Sequence, residues 1–339
     1  MCVGYGGEMA TTSSDRGSVL VTGGAGYIGS HTVRALRDLG RDVVVLDTLE
    51  LGRKEAVLGA PLVVGDIADS ELVKATCIEH GVNQVIHFAA YKNVGESMAN
   101  PGKYFRNNVA NTVDLVEACL DANVHDMVFS SSCSVYGTPS VVPVTEDSPI
   151  APESVYAQSK AMVEQILRWY SVTHDLRSVS LRYFNAAGAS FDAEIGEDWT
   201  YSLNLMPLAM KAVLLEDHGL KVFGDDYETP DGTCIRDYIH VEDLADAHIK
   251  SLDYLSAGGD SIEVNIGTGT GSSVLDVIKA AESVASQAVP HEIVGRRAGD
   301  PVTVYAAPTL AEQTLGWSAR HGLEAIAQTA YDWHLRQAD

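Results

Sequence analysis

Tyr156 and Lys160 stand four residues apart in "SVYAQSK". That spacing puts a phenol and an ammonium on one face of a helix, one turn apart. A free phenol has a pKa near ~10 and is a poor base at neutral pH. A positive charge held close to it favours the phenolate and makes a base of it. The spacing alone is common on solvated helix surfaces, so other elements must supply the rest. Ser132, in "FSSSCSVYG", is a third candidate. It falls at the C-terminal end of an expected strand, the edge at which open α/β sheets bind ligands. A hydroxyl there can hydrogen-bond a substrate oxygen and relay its proton to Tyr156.

The partner for such a base is announced earlier, in "VLVTGGAGYIGSHTV". Gly23, Gly26 and Gly29 join an expected first strand to an expected helix. Glycines let backbone N–H groups approach a pyrophosphate, and the helix N-terminus adds its positive dipole. Asp47 ends the next expected strand. Its carboxylate can accept from ribose hydroxyls and disfavours a 2′-phosphate, so NAD is expected over NADP. The positive nicotinamide of NAD⁺ then adds to Lys160 in favouring a Tyr156 phenolate. A second glycine run, "NIGTGTGSS", holds Gly267, Gly269 and Gly271. No acid-terminated strand follows it, so a tight turn is expected, with Ser272 or Ser273 as helix N-cap.

The chain of 339 residues, 46% hydrophobic, can bury a large core. Acids outnumber bases 46 to 23, for a formal charge of −23. That field disfavours nucleic acid and anionic lipid, and any anionic ligand needs local cations or amides. The five cysteines include no CxxC pair and the histidines no HExxH, so neither metal nor disulfide framework is expected. An odd cysteine count, the absence of a long apolar run and an unremarkable N-terminus point to a cytoplasmic chain with no membrane partner.

Near-continuous apolar runs at 18–23, 42–47, 61–66, 84–90, 126–132 and 178–185 read as strands covered on both faces. Helices are expected at 31–39, 70–80, 104–122 and 156–173. This βαβαβ order predicts an α/β fold, a doubly wound parallel Rossmann sheet with a smaller C-terminal α/β lobe. The expected division is a flexible tail over 1–17, a dinucleotide-binding domain over 18–186 plus about 233–271, and a substrate domain over 187–232 plus 272–339. In the second half, a helix running to about Glu216, a short strand in "LKVF", a further helix and a C-terminal helix are expected.

The TGGxGYIG turn, SSSxxVYG, YxxxK, "LRYFNAAGA" and "RDYIHVEDLADAH" together resemble the extended short-chain dehydrogenase/reductase family. The likeness is to its branch that epimerises UDP-glucose and UDP-galactose at C4, and it runs from about Ser18 to near the C-terminus. "HFAAYKNVGES" and "RDYIHV" are specific to that branch. The resemblance implies Tyr156 as catalytic base and acid, Lys160 as its partner and a nicotinamide-ribose ligand, and Ser132 against the sugar 4-hydroxyl. It implies NAD contacts at Gly23, Gly26, Tyr27, Ile28, Gly29, Asp47, Asp66, Ile67, Phe88, Ala89, Ala90, Lys92, Asn107, Ser130 and Tyr183. UDP-sugar contacts are implied at Phe184, Asn185, Asn204, Leu205, Phe223, Arg236, Arg297, Asp300 and Val304. His87 and His240 lie inside the motifs, and structural roles are expected of them.

By the same resemblance, C4 of a UDP-hexose gives a hydride to bound NAD⁺ as Tyr156 takes the 4-hydroxyl proton. The 4-keto sugar turns over, and the hydride returns to the other face. Related dehydratases carry Asp-Glu after the catalytic hydroxyl, and decarboxylases a Glu before VYG; Cys133 and Ser134 stand here and cannot do that acid–base work. A UDP-pentose or UDP-uronate epimerase, or a silent NAD-binding sensor, is the alternative. Val304 is expected at the wall beside the sugar C2 substituent, with Tyr305 as the competing position. Relatives pair as homodimers through helices matching 104–122 and 156–173.

Overall fold

A computed structural model of the chain describes residues 17–200, 202–215, 218–297 and 299–338. All but the last residue of the expected tail, Cys2 included, lies outside them. Strands β1 (Ser18–Thr22), β2 (Val43–Asp47), β3 (Leu62–Val64), β4 (Val82–His87), β5 (Asp126–Ser130) and β6 (Arg177–Tyr183) alternate with helices α1 (Tyr27–Asp38), α2 (Ser70–Glu79), α3 (Val94–Ala99), α4 (Pro101–Tyr104), α5 (Asn111–Asp121) and α6 (Val155–His174). The second half holds β7 (Asn185–Ala187), α7 (Leu205–Leu214), β8 (Leu220–Phe223), β9 (Ile235–Arg236), β10 (Tyr238–His240), α8 (Val241–Ser256), β11 (Ile262–Ile266), β12 (Ser272–Ser273), α9 (Val274–Ala285), β13 (His291–Val294), β14 (Thr303–Val304) and α10 (Leu323–Ala338). No described helix is long and apolar enough to cross a membrane.

Seven strands form one parallel sheet in the order β3-β2-β1-β4-β5-β6-β11. Side chains alternate across it into two cores, because successive Cβ atoms point to opposite faces. Val19, Val21, Val43, Val45, Ile86 and Val128 join one core with α1 and α8. Leu20, Val44, Leu46, Val85, Met127 and Phe129 join the other with α2, α5 and α6. Both faces are therefore apolar, which is why the strands read as unbroken hydrophobic runs. The strand order reverses between β1 and β4, and their C-terminal ends open a crevice there. A third core gathers α7, α9, α10 and β8 around Met206, Met210, Val277 and Ile326.

Three expectations need correction. Helix α1 begins at Tyr27 rather than residue 31, because the glycine turn is complete by Gly26, its N-cap. The helix expected over 104–122 is instead α4, a π-type segment Phe105–Ala110, and α5. The π segment places Asn108, which is buried, so that its side chain bonds both Tyr91 N–H (2.9 Å) and Tyr91 C=O (3.0 Å) and reaches Ser159 Oγ at 3.2 Å. Such bulges are frequent at functional sites. The fifth strand ends at Ser130, so Ser132 lies beyond it as the N-cap of a short 3-10 turn, Cys133–Tyr136. In the second half, α7 ends at Leu214; Glu216, where the expected helix stopped, lies outside the described residues.

Candidate active site

The glycine turn stands at the crevice between β1 and β4. Gly23 has φ +72°, and a Cβ on it would lie 2.7 Å from the Ala89 nitrogen, beside Phe88. A Cβ on Gly29 would lie 2.3 Å from the Gly23 carbonyl oxygen. Only hydrogen fits at either position, so the turn packs directly against the backbone that follows β4 and against the start of α1. Helix α1 has neither a side-chain cap nor an acidic residue in its first turn, so its N-terminal amides suit an anion. Asp47 is buried; its Oδ2 accepts from Ala25 N–H at 3.0 Å and its Oδ1 from Leu49 N–H at 2.9 Å. Each oxygen keeps a lone pair for a ribose hydroxyl, and the same carboxylate ties the glycine turn to β2. These features fit a dinucleotide.

The other expected cofactor residues follow β3 and β4, end β5 and β6, or lie on α1 and the π segment. Ile67 is buried with Val44 and Leu46, and Asp66 Oδ1 accepts from Ala68 N–H at 2.9 Å. Phe88 packs on His248 with ring centroids 4.6 Å apart, and Ala89 and Ala90 follow it toward Tyr91, whose backbone Asn108 holds. Asn107 Nδ2 donates to Asn108 Oδ1 at 3.0 Å. The Tyr27 hydroxyl, in the first turn of α1 ahead of Ile28, donates to Gly188 C=O at 2.7 Å. Lys92 Nζ meets Glu197 Oε1 at 3.2 Å. Ser130 Oγ bonds the Tyr183 hydroxyl. His87 is bonded on both ring nitrogens, to Thr22 (2.7 Å) and Thr112 (3.0 Å), and burial lowers its pKa to about 3. It is a neutral link between β1, β4 and α5.

Ser154 caps α6, its Oγ accepting from Ala157 N–H at 3.1 Å, and so sets where Tyr156 leaves the helix. Lys160 follows one turn on, its Nζ 5.9 Å from the Tyr156 ring centroid. The ammonium donates to Ser130 C=O at 2.6 Å. Burial pushes the Tyr156 phenol well above its ordinary pKa and outweighs Ser132, which acts to lower it; the Ser132 Oγ accepts from Ser134 Oγ at 2.9 Å. Burial also lowers Lys160 to about 7, against the pull of Glu164. The protein matrix therefore favours the protonated phenol, and a further cation against the ring would shift it toward phenolate.

Glu164 carried no sequence signal. It lies one turn beyond Lys160, and Arg182 grips both its oxygens, Nε to Oε1 at 2.9 Å and Nη2 to Oε2 at 2.7 Å. Both side chains are at most 3% exposed. Ser131 donates to Oε1 at 2.6 Å, and Arg182 Nη1 reaches the Tyr136 hydroxyl at 2.9 Å. The pair locks α6 to the sheet directly beneath Lys160. Glu164→Gln strands the buried guanidinium, and breaking a buried pair in this way costs about 3–5 kcal/mol. A large fall in urea midpoint is expected; a midpoint within error of wild type would show that Arg182 is neutralised elsewhere.

On the substrate side, Phe184, Val304, Ala306, Val135 and Ala161 form one buried cluster with Cys133 against it. The β14–β9 register sets Val304 opposite Arg236. Arg236 and Asp300 both act on Cys234 and Tyr227, and Arg297 also acts on Cys234. Arg297 stacks its guanidinium 4.2 Å above the Phe223 ring and lies 3.8 Å from Asp300. Asn185 Nδ2 donates to Asp237 C=O at 3.2 Å. Asn204, the N-cap of α7 ahead of Leu205, donates to Glu197 Oε1 at 2.8 Å. Glu197, Asp237, Asn108 and Tyr227 were not found from sequence. Asp237 disposes of the second glycine run: its carboxylate accepts from Thr268 N–H (2.9 Å), Gly269 N–H (3.2 Å) and Ala306 N–H (3.1 Å), so the turn's amides face a protein anion. Ser273 caps α9 there with a full capping box. Among the described residues no cluster could hold a metal.

Sheet order, glycine turn and the Ser132–Tyr156–Lys160 group define a dinucleotide-binding protein of the short-chain dehydrogenase/reductase architecture. The NAD dependent epimerase/dehydratase family matches residues 19–267, and the chain belongs to that family. UDP-glucose 4-epimerase of Azospirillum brasilense is 46% identical over 325 residues, covering 95% of this chain and 93% of that protein. The crystal structure of UDP-glucose 4-epimerase from Brucella ovis with NAD superposes with TM-score 0.92 at 44% identity, covering 94% of this chain and 98% of that one. The UDP-Glc/GlcNAc 4-epimerase of Campylobacter jejuni superposes with TM-score 0.83 at 38% identity, over 94% of this chain and 99% of that one.

Proposed function

We propose that this chain inverts C4 of UDP-glucose and UDP-galactose. One observation carries the reading: Ser132, Tyr156 and Lys160 meet beside a glycine crevice built for a dinucleotide, with Cys133 and Ser134 where other chemistries need carboxylic acids. The glycine turn, Asp47, Lys92, Lys160 and Tyr183 would hold NAD, which would supply a hydride acceptor and donor for the sugar carbon. Tyr156 takes the 4-hydroxyl proton and later returns it, while Ser132 orients that oxygen and Lys160 holds charge near the ring. Arg236, Arg297 and Asn204 meet the diphosphate, where cations and amides are needed in a chain of −23 charge. Phe184 and Val304 wall the sugar. The finer reading is that N-acetylated hexoses are also taken. It is supported by the buried Val304 beside Phe184, and by Tyr305, which packs the other way, 3.6 Å from a Cβ built on Gly271.

We divide the chain into residues 18–186 plus about 233–271 for the cofactor and 187–232 plus 272–339 for the UDP-sugar; the two sheet cores and the separate α7–α9–α10 core support that division. Pairing into homodimers through the α5 and α6 faces is supported by Trp169 and Val172, 69% and 77% exposed on α6. The test is assay of the purified protein against a panel of UDP-sugars, with the bound nucleotide identified after denaturation. NAD(H) is expected to copurify and no added cofactor to be needed, since no net redox occurs. NAD bound without any hexose interconversion would establish a sensor instead. Strict dependence on added NADP⁺ would contradict the Asp47 reading.

A further inference from the structure

Glu197 sits between β7 and α7, its side chain 6% exposed, and its chemistry joins two sites. Oε1 receives three donors: Asn204 Nδ2 at 2.8 Å, Ser202 Oγ at 2.9 Å and Lys92 Nζ at 3.2 Å. Its main chain is anchored. Its carbonyl accepts from Trp333 Nε1 at 2.9 Å, and a Cβ on the preceding Gly196 would lie 2.6 Å from the Trp333 ring. Oε2 is buried with no donor among the described residues, although a buried carboxylate oxygen normally takes one. The carboxylate thus has spare accepting capacity, and one donor can turn away without leaving the charge unmatched. Its field also reaches Tyr27 in the first turn of α1, where it acts to raise the phenol's pKa.

Each donor has a second commitment under the function proposed above. Lys92 is a flexible ammonium, 63% exposed, with two N–H bonds left for a cofactor phosphate. Asn204 stands at the N-terminus of α7, a helix with no side-chain cap and no acidic residue in its first turn, where a nucleotide-sugar phosphate meets free amides. We propose that Glu197 is a positioning residue that fixes Lys92 and Asn204 against one carboxylate and thereby couples NAD retention to occupancy of the UDP-sugar site. The inference rests on the assignment of Lys92 and Asn204 to those two ligands. When UDP immobilises Asn204, the shared carboxylate is immobilised with it, and Lys92 loses less freedom in holding the cofactor. The coupling is reciprocal by linkage and of the usual size, about tenfold.

The experiment uses the NAD-loaded enzyme and UDP as the probe. In wild type, saturating UDP is expected to slow NAD release about tenfold. Glu197→Gln keeps the shape and removes the charge. It should reduce that effect to less than about twofold and raise KM for UDP-galactose about tenfold, with kcat changed less than KM. Lys74→Ala, which breaks the exposed Lys74–Asp121 pair between α2 and α5 and touches none of these residues, should keep the coupling. A Glu197→Gln enzyme with wild-type KM and coupling overturns the proposal, as does a fall in kcat alone. If that variant does not fold, the double cycle of Lys92→Met and Asn204→Ala decides. Non-additive effects on NAD release support the inference and additive ones overturn it. If Lys92→Met leaves NAD retention unchanged and Asn204→Ala leaves KM unchanged, the site assignment itself has failed.

Discussion

Tyr156→Phe should leave NAD bound and lower turnover about 10²–10⁴-fold, the usual contribution of a general acid–base group. The substitution removes one oxygen from a half-buried position. The helix start is fixed by Ser154, not by the phenol. Lys160 keeps its bond to Ser130 C=O, so the cofactor side is undisturbed. What disappears is the phenol oxygen that the proposed function assigns to the sugar proton. Bound nucleotide measured after denaturation and turnover of UDP-galactose together check this. Activity within twofold of wild type would remove Tyr156 from the mechanism, and loss of NAD along with activity would point to a folding effect.

Val304→Tyr should abolish interconversion of UDP-GlcNAc and UDP-GalNAc while sparing the unsubstituted pair. Val304 is 7% exposed, held by β14 against β9 and packed with Phe184. Added ring atoms cannot be absorbed into that cluster, since overpacking a core costs about 1–3 kcal/mol. The ring must then turn into the sugar space, where it collides with an acetamido group but not with a hydroxyl. The measurement is kcat/KM for both pairs in both proteins. Absence of UDP-GlcNAc turnover in wild type, or equal losses for both pairs in the variant, would show that Val304 is not the gate.

The parts of the site legible in the sequence are those made by neighbours along the chain. Gly23, Gly26 and Gly29 sit in one strand–helix turn, Asp47 closes the following strand, and Tyr156 and Lys160 are one helical turn apart, so short-range geometry alone relates them. The parallel sheet, covered on both faces, followed from the unbroken apolar runs, whereas its strand order came from the tertiary structure. Tertiary structure decided what lies between distant segments. Lys92 and Asn204 share Glu197 across 105 and 7 residues. Arg182 neutralises Glu164 beneath Lys160, and Asp237 fills the second glycine turn that sequence could judge only by its missing acid. The break at Phe105–Ala110 exists because Asn108 is claimed by Tyr91. The charge state of the central pair was likewise beyond the sequence. Spacing brings the ammonium to the phenol, but burial, which raises Tyr156 and lowers Lys160, exists only once the two cores have closed around them.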